Sequence, residues 1–110
     1  MPLTQLSRSQ WQTFLDGLAR VLAAHRVEIE ATGVGLRGVQ AEWLPLSGLS
    51  YDAGNDALVV AAGGVEHLIR RPTQIHIDQE PPWLYSLEVV DAGRNHHFVV
   101  FKEPLSLPAA

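Results

Sequence analysis

The sequence predicts an α+β fold: one N-terminal helix packed on a strongly curled, mainly antiparallel sheet of six to seven strands. Three observations predict it. Helical periodicity occurs once, near the start, and period-2 alternation takes over from Val27 onward. The alternating stretches are separated by short Gly/Asn/Asp clusters, which is hairpin chemistry and leaves no room for crossover helices. Finally, 110 residues with 46% apolar content, a net charge of −4 and no cysteine imply one domain, 1–110, with a core of its own and no disulfide framework. So many strands against a single helix should curl strongly, towards a partly closed barrel.

The helix is expected over about 8–25. Trp11, Phe14, Leu15, Leu18 and Leu22 recur on one helical face, while Arg8, Gln12, Asp16 and Arg20 fall largely on the other. Ser7 and Gln10 have the spacing of a capping box, and Leu6 and Trp11 that of a hydrophobic staple. Gly17 inside the helix costs up to ~1 kcal/mol relative to Ala, which close packing against the sheet would explain.

The sheet is expected over about 27–102, with a short tail at 103–110. Val27, Ile29 and Ala31 alternate with Glu28, Glu30 and Thr32 in a half-buried strand. The glycine-spaced stretch from Gly33 to Gly38 turns the chain into Val39, Ala41 and Trp43, and Pro45 ends or kinks that strand. Ala53-Gly54-Asn55-Asp56 is a hairpin turn, and Gly63-Gly64 breaks the strand that follows it. The segment from Val65 to Ile69 fits a short helical turn or an extended strand, and Pro72 closes it. Ile75 and Ile77 start a further strand, and 87–91 and 97–102 form the last hairpin around Gly93-Arg94-Asn95. Pairing Val89 with Phe98 and Leu87 with Val100 leaves Val90, Val99 and Phe101 on a second face, beside Glu88 and His97. Trp11 and Trp43 fit core positions.

Charge and composition exclude several functions. Eight basic residues against twelve acidic ones, with Arg70-Arg71 as the one adjacent basic pair, supply no clustered face for nucleic acid. The first residues lack a signal peptide's basic and apolar regions, and no apolar run approaches a membrane span. A soluble, cytoplasmic protein is the expectation. Gly33 to Gly38 matches G-x-G-x-x-G, but the strand-like alternation after it is not the helix that a dinucleotide site requires, so no cofactor is assigned.

Two groups of residues are candidates for function. Val90, Val99 and Phe101 form an apolar face that the curl of the sheet, the tail from Leu105 to Pro108 or another subunit would cover, and the aromatic loop residues Trp83 and Tyr85 either anchor the same interface or fold back on the core. His67, Arg70, His76 and Asp78 could instead line a polar pocket inside the curled sheet. His76 and Asp78 share a strand face, to which Glu88 and His97 could add metal ligands, yet none of the known zinc spacings is present and no metal is assigned. His67 beside Glu66 and Arg70-Arg71 could do acid–base work, but no nucleophile motif accompanies it and no catalytic residue is assigned. Glu28, Glu30 and Glu42 read as a solvated face.

Three stretches carry a resemblance. They are Glu42-Trp43-Leu44-Pro45-Leu46-Ser47-Gly48-Leu49-Ser50-Tyr51-Asp52, Val65-Glu66-His67-Leu68-Ile69-Arg70-Arg71-Pro72 with Ile75 and Ile77-Asp78, and Ser86-Leu87-Glu88-Val89-Val90-Asp91-Ala92. With the helix around Trp11, they resemble a family of short bacterial proteins classed as a domain of unknown function, over about 7–107. The resemblance implies a free-standing bacterial domain and brings no activity, cofactor or catalytic residue. The loop from Pro81 to Tyr85 is more aromatic than the polar, glycine-containing turn it implies.

The leading expectation is therefore a non-enzymatic domain that acts by binding a protein or itself. The alternative is a small-molecule binder or minor enzyme built on His67, Arg70, His76 and Asp78, and a purely structural accessory role is the third.

Overall fold

The computed structural model describes residues 3–22, 25–32, 38–80 and 82–106. The turn expected from Gly33 to Gly38 lies outside them save for Gly38, as do Pro81 and the last four residues of the tail.

A short strand β1 (Leu3–Leu6) leads through a 3-10 turn (Arg8–Gln10) into α1 (Trp11–Leu22). Seven strands follow: β2 (Arg26–Thr32), β3 (Val39–Asp52), β4 (Ala57–Ala62), β5 (Val65–Arg70), β6 (Pro72–Glu80), β7 (Trp83–Asp91) and β8 (His96–Ser106). All eight strands join one sheet in the order β1-β6-β7-β8-β2-β3-β4-β5, and every pairing is antiparallel. The strand count thus exceeds the expected six to seven. β1 was hidden because four residues at a chain end carry too little periodicity. The segment from Val65 resolves as a strand, because Gly63 and Gly64 both have positive φ and turn it back on β4.

Topology dictates the curl. β5 and β6 are joined through Arg71 alone, yet they stand eighth and second in the sheet. Six strand spacings in a flat sheet are roughly 29 Å. One intervening residue spans no more than roughly 7 Å. The sheet must therefore roll until its ends approach. Arg71 makes the corner with φ of 51°, donating its N–H to Asp56 O at 2.8 Å and accepting from Ala92 N at 2.9 Å. The barrel is nonetheless not closed: β1 and β5 are both edges of the ladder.

The inside of the roll is the core. Val27, Ile29, Leu49, Leu58, Val60, Ile69, Ile75, Leu87, Val89 and Val99 line it, and Trp11, Leu15 and Leu18 of α1 fill it from the β3 side. Leu15 has no exposed surface. Burying such a side chain stabilises by ~1.5–3 kcal/mol. Trp11 meets Tyr51 edge-on, with ring centroids 5.3 Å apart, and donates its indole N–H to Leu6 O at 3.3 Å. The capping box opens the 3-10 turn rather than α1 itself: Ser7 N donates to Gln10 Oε1 at 3.2 Å. Arg8 then bridges the opening of the roll. It donates to Tyr51 Oη (3.2 Å), Asp56 Oδ1 (3.3 Å) and Pro72 O (2.9 Å), with its guanidinium 4.4 Å from the Trp11 ring centroid.

Three further expectations are corrected. Gly17 meets nothing within 4 Å where a Cβ would stand, so close packing does not explain it. Trp43 is half-buried and sits at φ of 51° beside Pro45, where β3 bends from its partner β2 to its partner β4; the proline kinks the strand without ending it. The third correction is the register of the last hairpin. Asp91 N donates to Asn95 O, so Val89 pairs with His97 and Leu87 with Val99, one residue away from the expected pairing. A one-residue slip exchanges the faces of a strand. Val99 (1% exposed) and Phe101 (5%) therefore lie in the core of a single chain, and His97 goes in with them. Val90, Phe98 and Val100 take the outer face, half-buried among their neighbours.

Candidate functional site

His97 is the one buried polar or charged residue among those described, with 3% of its surface exposed. Desolvating an imidazole is costly unless both nitrogens are satisfied, and here both are. Nε2 lies 3.0 Å from Asp91 Oδ2, and Nδ1 lies 3.0 Å from His67 Nε2. Asp91 comes from the end of β7, His97 from β8 and His67 from the edge strand β5, so the roll brings together groups from opposite walls.

The local sequence explains Asp91. In Asp91-Ala92-Gly93-Arg94-Asn95 the carboxylate caps its own turn: Oδ1 accepts from Gly93 N at 2.9 Å and Asn95 N at 3.0 Å. Oδ2 accepts from Asn95 Nδ2 at 3.1 Å as well as from His97. Burial alone pushes the Asp91 carboxyl up, but the bonds from His97, Asn95 and Gly93 together hold it below its usual 3.8. The β3–β4 turn repeats the device, with Asp52 accepting from Gly54 N and Asn55 N.

The protons in this relay can be assigned by elimination. An ionised carboxylate only accepts, so His97 Nε2 carries a hydrogen and donates to Asp91. With His97 neutral, its Nδ1 is a lone pair, and His67 Nε2 donates to it. Neutral His67 is left with its lone pair on Nδ1. Burial, and then the neighbouring His97, pushes the His67 pKa below 6.5, which favours that neutral form.

Beside the relay is an open cleft of about 340 Å³, lined by Leu68, Ile69, Arg70, Arg71, Asp91, Ala92, Gly93, Asn95 and His97. It is the mouth of the roll, where the β5–β6 corner faces the β7–β8 turn. Arg70 and Arg71 are both exposed on its rim, and neither forms an ion pair with any described residue. Asn95 Oδ1 is buried without a hydrogen-bond partner, and its amide is oriented by the bond that Nδ2 makes to Asp91.

The expected polar group is thus divided. Arg70 lines the cleft and His67 backs it through His97, whereas His76 and Asp78 lie on the outer face of β6. There His76 bonds Gln74 at 2.9 Å, and Asp78 Oδ1 is buried without a partner. His96, not His97, meets Glu88 on that face, at 2.9 Å. No group of metal-ligating side chains is found among the described residues. Of the expected apolar group, Trp83 is 46% exposed and Tyr85 and Val90 are half-buried, while Val99 and Phe101 are core. Asp91, Asn95 and Arg71 were not among the expected site residues. The Asp-x-Gly-x-Asn turn was their one signal, since it fixes the register that turns His97 inward.

Fold and site define an open antiparallel roll around one helix, with a polar, arginine-rimmed mouth. The chain belongs to a family of unknown function (DUF5335), whose model matches residues 3–110. It is similar to an uncharacterized protein of Aquifex aeolicus (strain VF5), a bacterium, with 29% identity over 110 residues covering 98% of this chain and 99% of the relative. No solved structure matches it. No helix among the described residues is long and apolar enough to cross a membrane.

Proposed function

We propose that this domain binds a small anion in the mouth of the roll. The observation that carries the reading is that Arg70 and Arg71, two guanidinium groups that pair with no described carboxylate, stand on the rim of one cleft. Guanidinium groups free of internal carboxylates attract carboxylate or phosphate. The cleft volume falls at the lower end of the range for small-molecule sites. His97 and Asp91 are already satisfied by each other and make a fixed floor. Among the described residues no Ser, Thr, Cys, Tyr or Lys lines the cleft, and its Asp91 and His97 are engaged with each other, which favours binding over catalysis. Calorimetric titration with inorganic phosphate and with glycerol phosphate tests it. Both anions should bind, and Arg70→Gln with Arg71→Gln should weaken binding by roughly tenfold or more. Equal, unaffected binding in the double variant, or no binding of either anion, rejects the reading.

Protein binding is the second reading, and a different observation favours it. Val65 and Leu68 expose 51% and 41% of their surfaces on the edge strand β5, and Trp83 exposes 46% of its own. Loss of a copurifying partner, or of self-association, on their substitution would support it. A soluble protein of the cytoplasm fits both readings.

A further inference from the structure

We propose that the free edge of β5 is a self-association surface, on which a second copy of this chain pairs antiparallel about Leu68. The inference rests on the protein-binding reading and names its occupant. Among the described residues β5 ends the sheet and pairs with β4 alone. The two-residue turn Gly63-Gly64 makes Ala62 and Val65 a hydrogen-bonded pair. Val65, His67 and Ile69 therefore direct their N–H and C=O at β4. Glu66, Leu68 and Arg70 direct theirs away from it, and their side chains are exposed as well. Unpaired backbone groups beside exposed apolar side chains form a template for another strand.

The sequence of the strand selects the register. Two copies related by a two-fold axis through Leu68 place Leu68 on Leu68 and Glu66 opposite Arg70, twice by symmetry. All three positions then use the backbone groups that β4 leaves free. The adjacent registers, about His67 or Ile69, put Leu68 against Glu66 or Arg70 and leave the charges unmatched. The same charges act against other strands, since a partner without the complementary pattern leaves Glu66 and Arg70 unpaired. The paired strand would border the cleft, which Leu68 and Arg70 also line.

Sedimentation velocity on the full chain over a range of concentrations tests this. The unmodified protein should show a monomer–dimer equilibrium. Glu66→Arg and Arg70→Glu should each weaken it roughly tenfold or more, because each sets like charges opposite one another twice. An equimolar mixture of those two variants should regain the dimer, since opposite charges then face at both positions. Leu68→Pro, which removes an N–H that β4 does not use, should abolish the dimer with an unchanged circular dichroism spectrum. A dimer that survives all three substitutions overturns the β5 pairing while leaving self-association through another surface. A monomer at every concentration overturns the pairing together with self-association itself.

Discussion

Asp91→Asn should reverse the direction of the His67–His97 relay without removing it. In the native protein Asp91 Oδ2 accepts from both His97 Nε2 and Asn95 Nδ2. An asparagine can keep its oxygen towards Gly93 N and Asn95 N, but it then presents an NH₂ where Oδ2 was. Two donors cannot face each other, so His97 must move its hydrogen from Nε2 to Nδ1, and His67 Nε2 must become the acceptor. Asn95, whose Oδ1 lacks a partner, can turn its amide to accept from the new NH₂. The residual loss is that of charge-assisted bonds to a carboxylate 12% exposed, worth ~2 kcal/mol in total after the amide bonds re-form. With a urea slope of ~1.5 kcal/mol/M, the unfolding midpoint should fall by roughly 1.3 M. Imidazole ¹⁵N spectra distinguish protonated from unprotonated ring nitrogens and give each tautomer directly. Unchanged tautomers at both histidines would refute the assignment of protons by elimination.

The remaining predictions concern stability and use urea or thermal unfolding. Gly17→Ala should stabilise by up to ~1 kcal/mol, because the helix gains propensity and the added methyl meets open space. Gly63→Ala should destabilise by more than Gly64→Ala: both have positive φ, but a Cβ at Gly63 would stand 2.8 Å from Leu44 Cδ1, whereas at Gly64 it meets nothing within 4 Å. The backbone strain alone is ~1 kcal/mol, and the clash should add at least as much again. Stability should fall in acid in two stages. Both His67 and Asp91 have native pKa values below their usual 6.5 and 3.8, so the unfolded chain binds more protons and stability rises with pH. The His67 contribution is lost as pH drops below 6.5 towards its native value, and His67→Gln should remove that stage alone. Asp91 acts only below 3.8. Tyr51 has the opposite sign: its bond to Asp56 raises its pKa above 10.0, so its contribution is lost as pH climbs through that higher native value.

Much of the fold was legible because hydrophobic period and turn chemistry are local. Trp11, Leu15 and Leu18 marked the buried face of the helix, and Asp52 to Asp56 marked a hairpin that forms as read. What was not legible depends on partners distant in sequence. β1 is a strand only because Leu3 to Leu6 find Ile75 to Asp78. The face taken by Val99, Phe101 and His97 hangs on whether a turn holds three residues or four, which alternation alone leaves open. Candidate residues fared accordingly. His67 and Arg70 belong to the mouth because the one-residue corner at Arg71 carries β5 across the roll. His76 and Asp78 do not, because β6 turns that face outward. Asp91 was overlooked as a site residue because it reads as a turn former, and it is one, with its second oxygen left over for His97.

The central claim is that the mouth of the roll is the ligand site. Amide and imidazole spectra recorded during a titration with glycerol phosphate test it most directly. The account predicts saturable shifts confined to residues 68–71, 91–93, Asn95 and the His97 ring, which line the cleft. Saturable shifts centred elsewhere, for example around Trp83 or on the outer face of β6, would contradict it, as would a spectrum that the anion leaves unchanged.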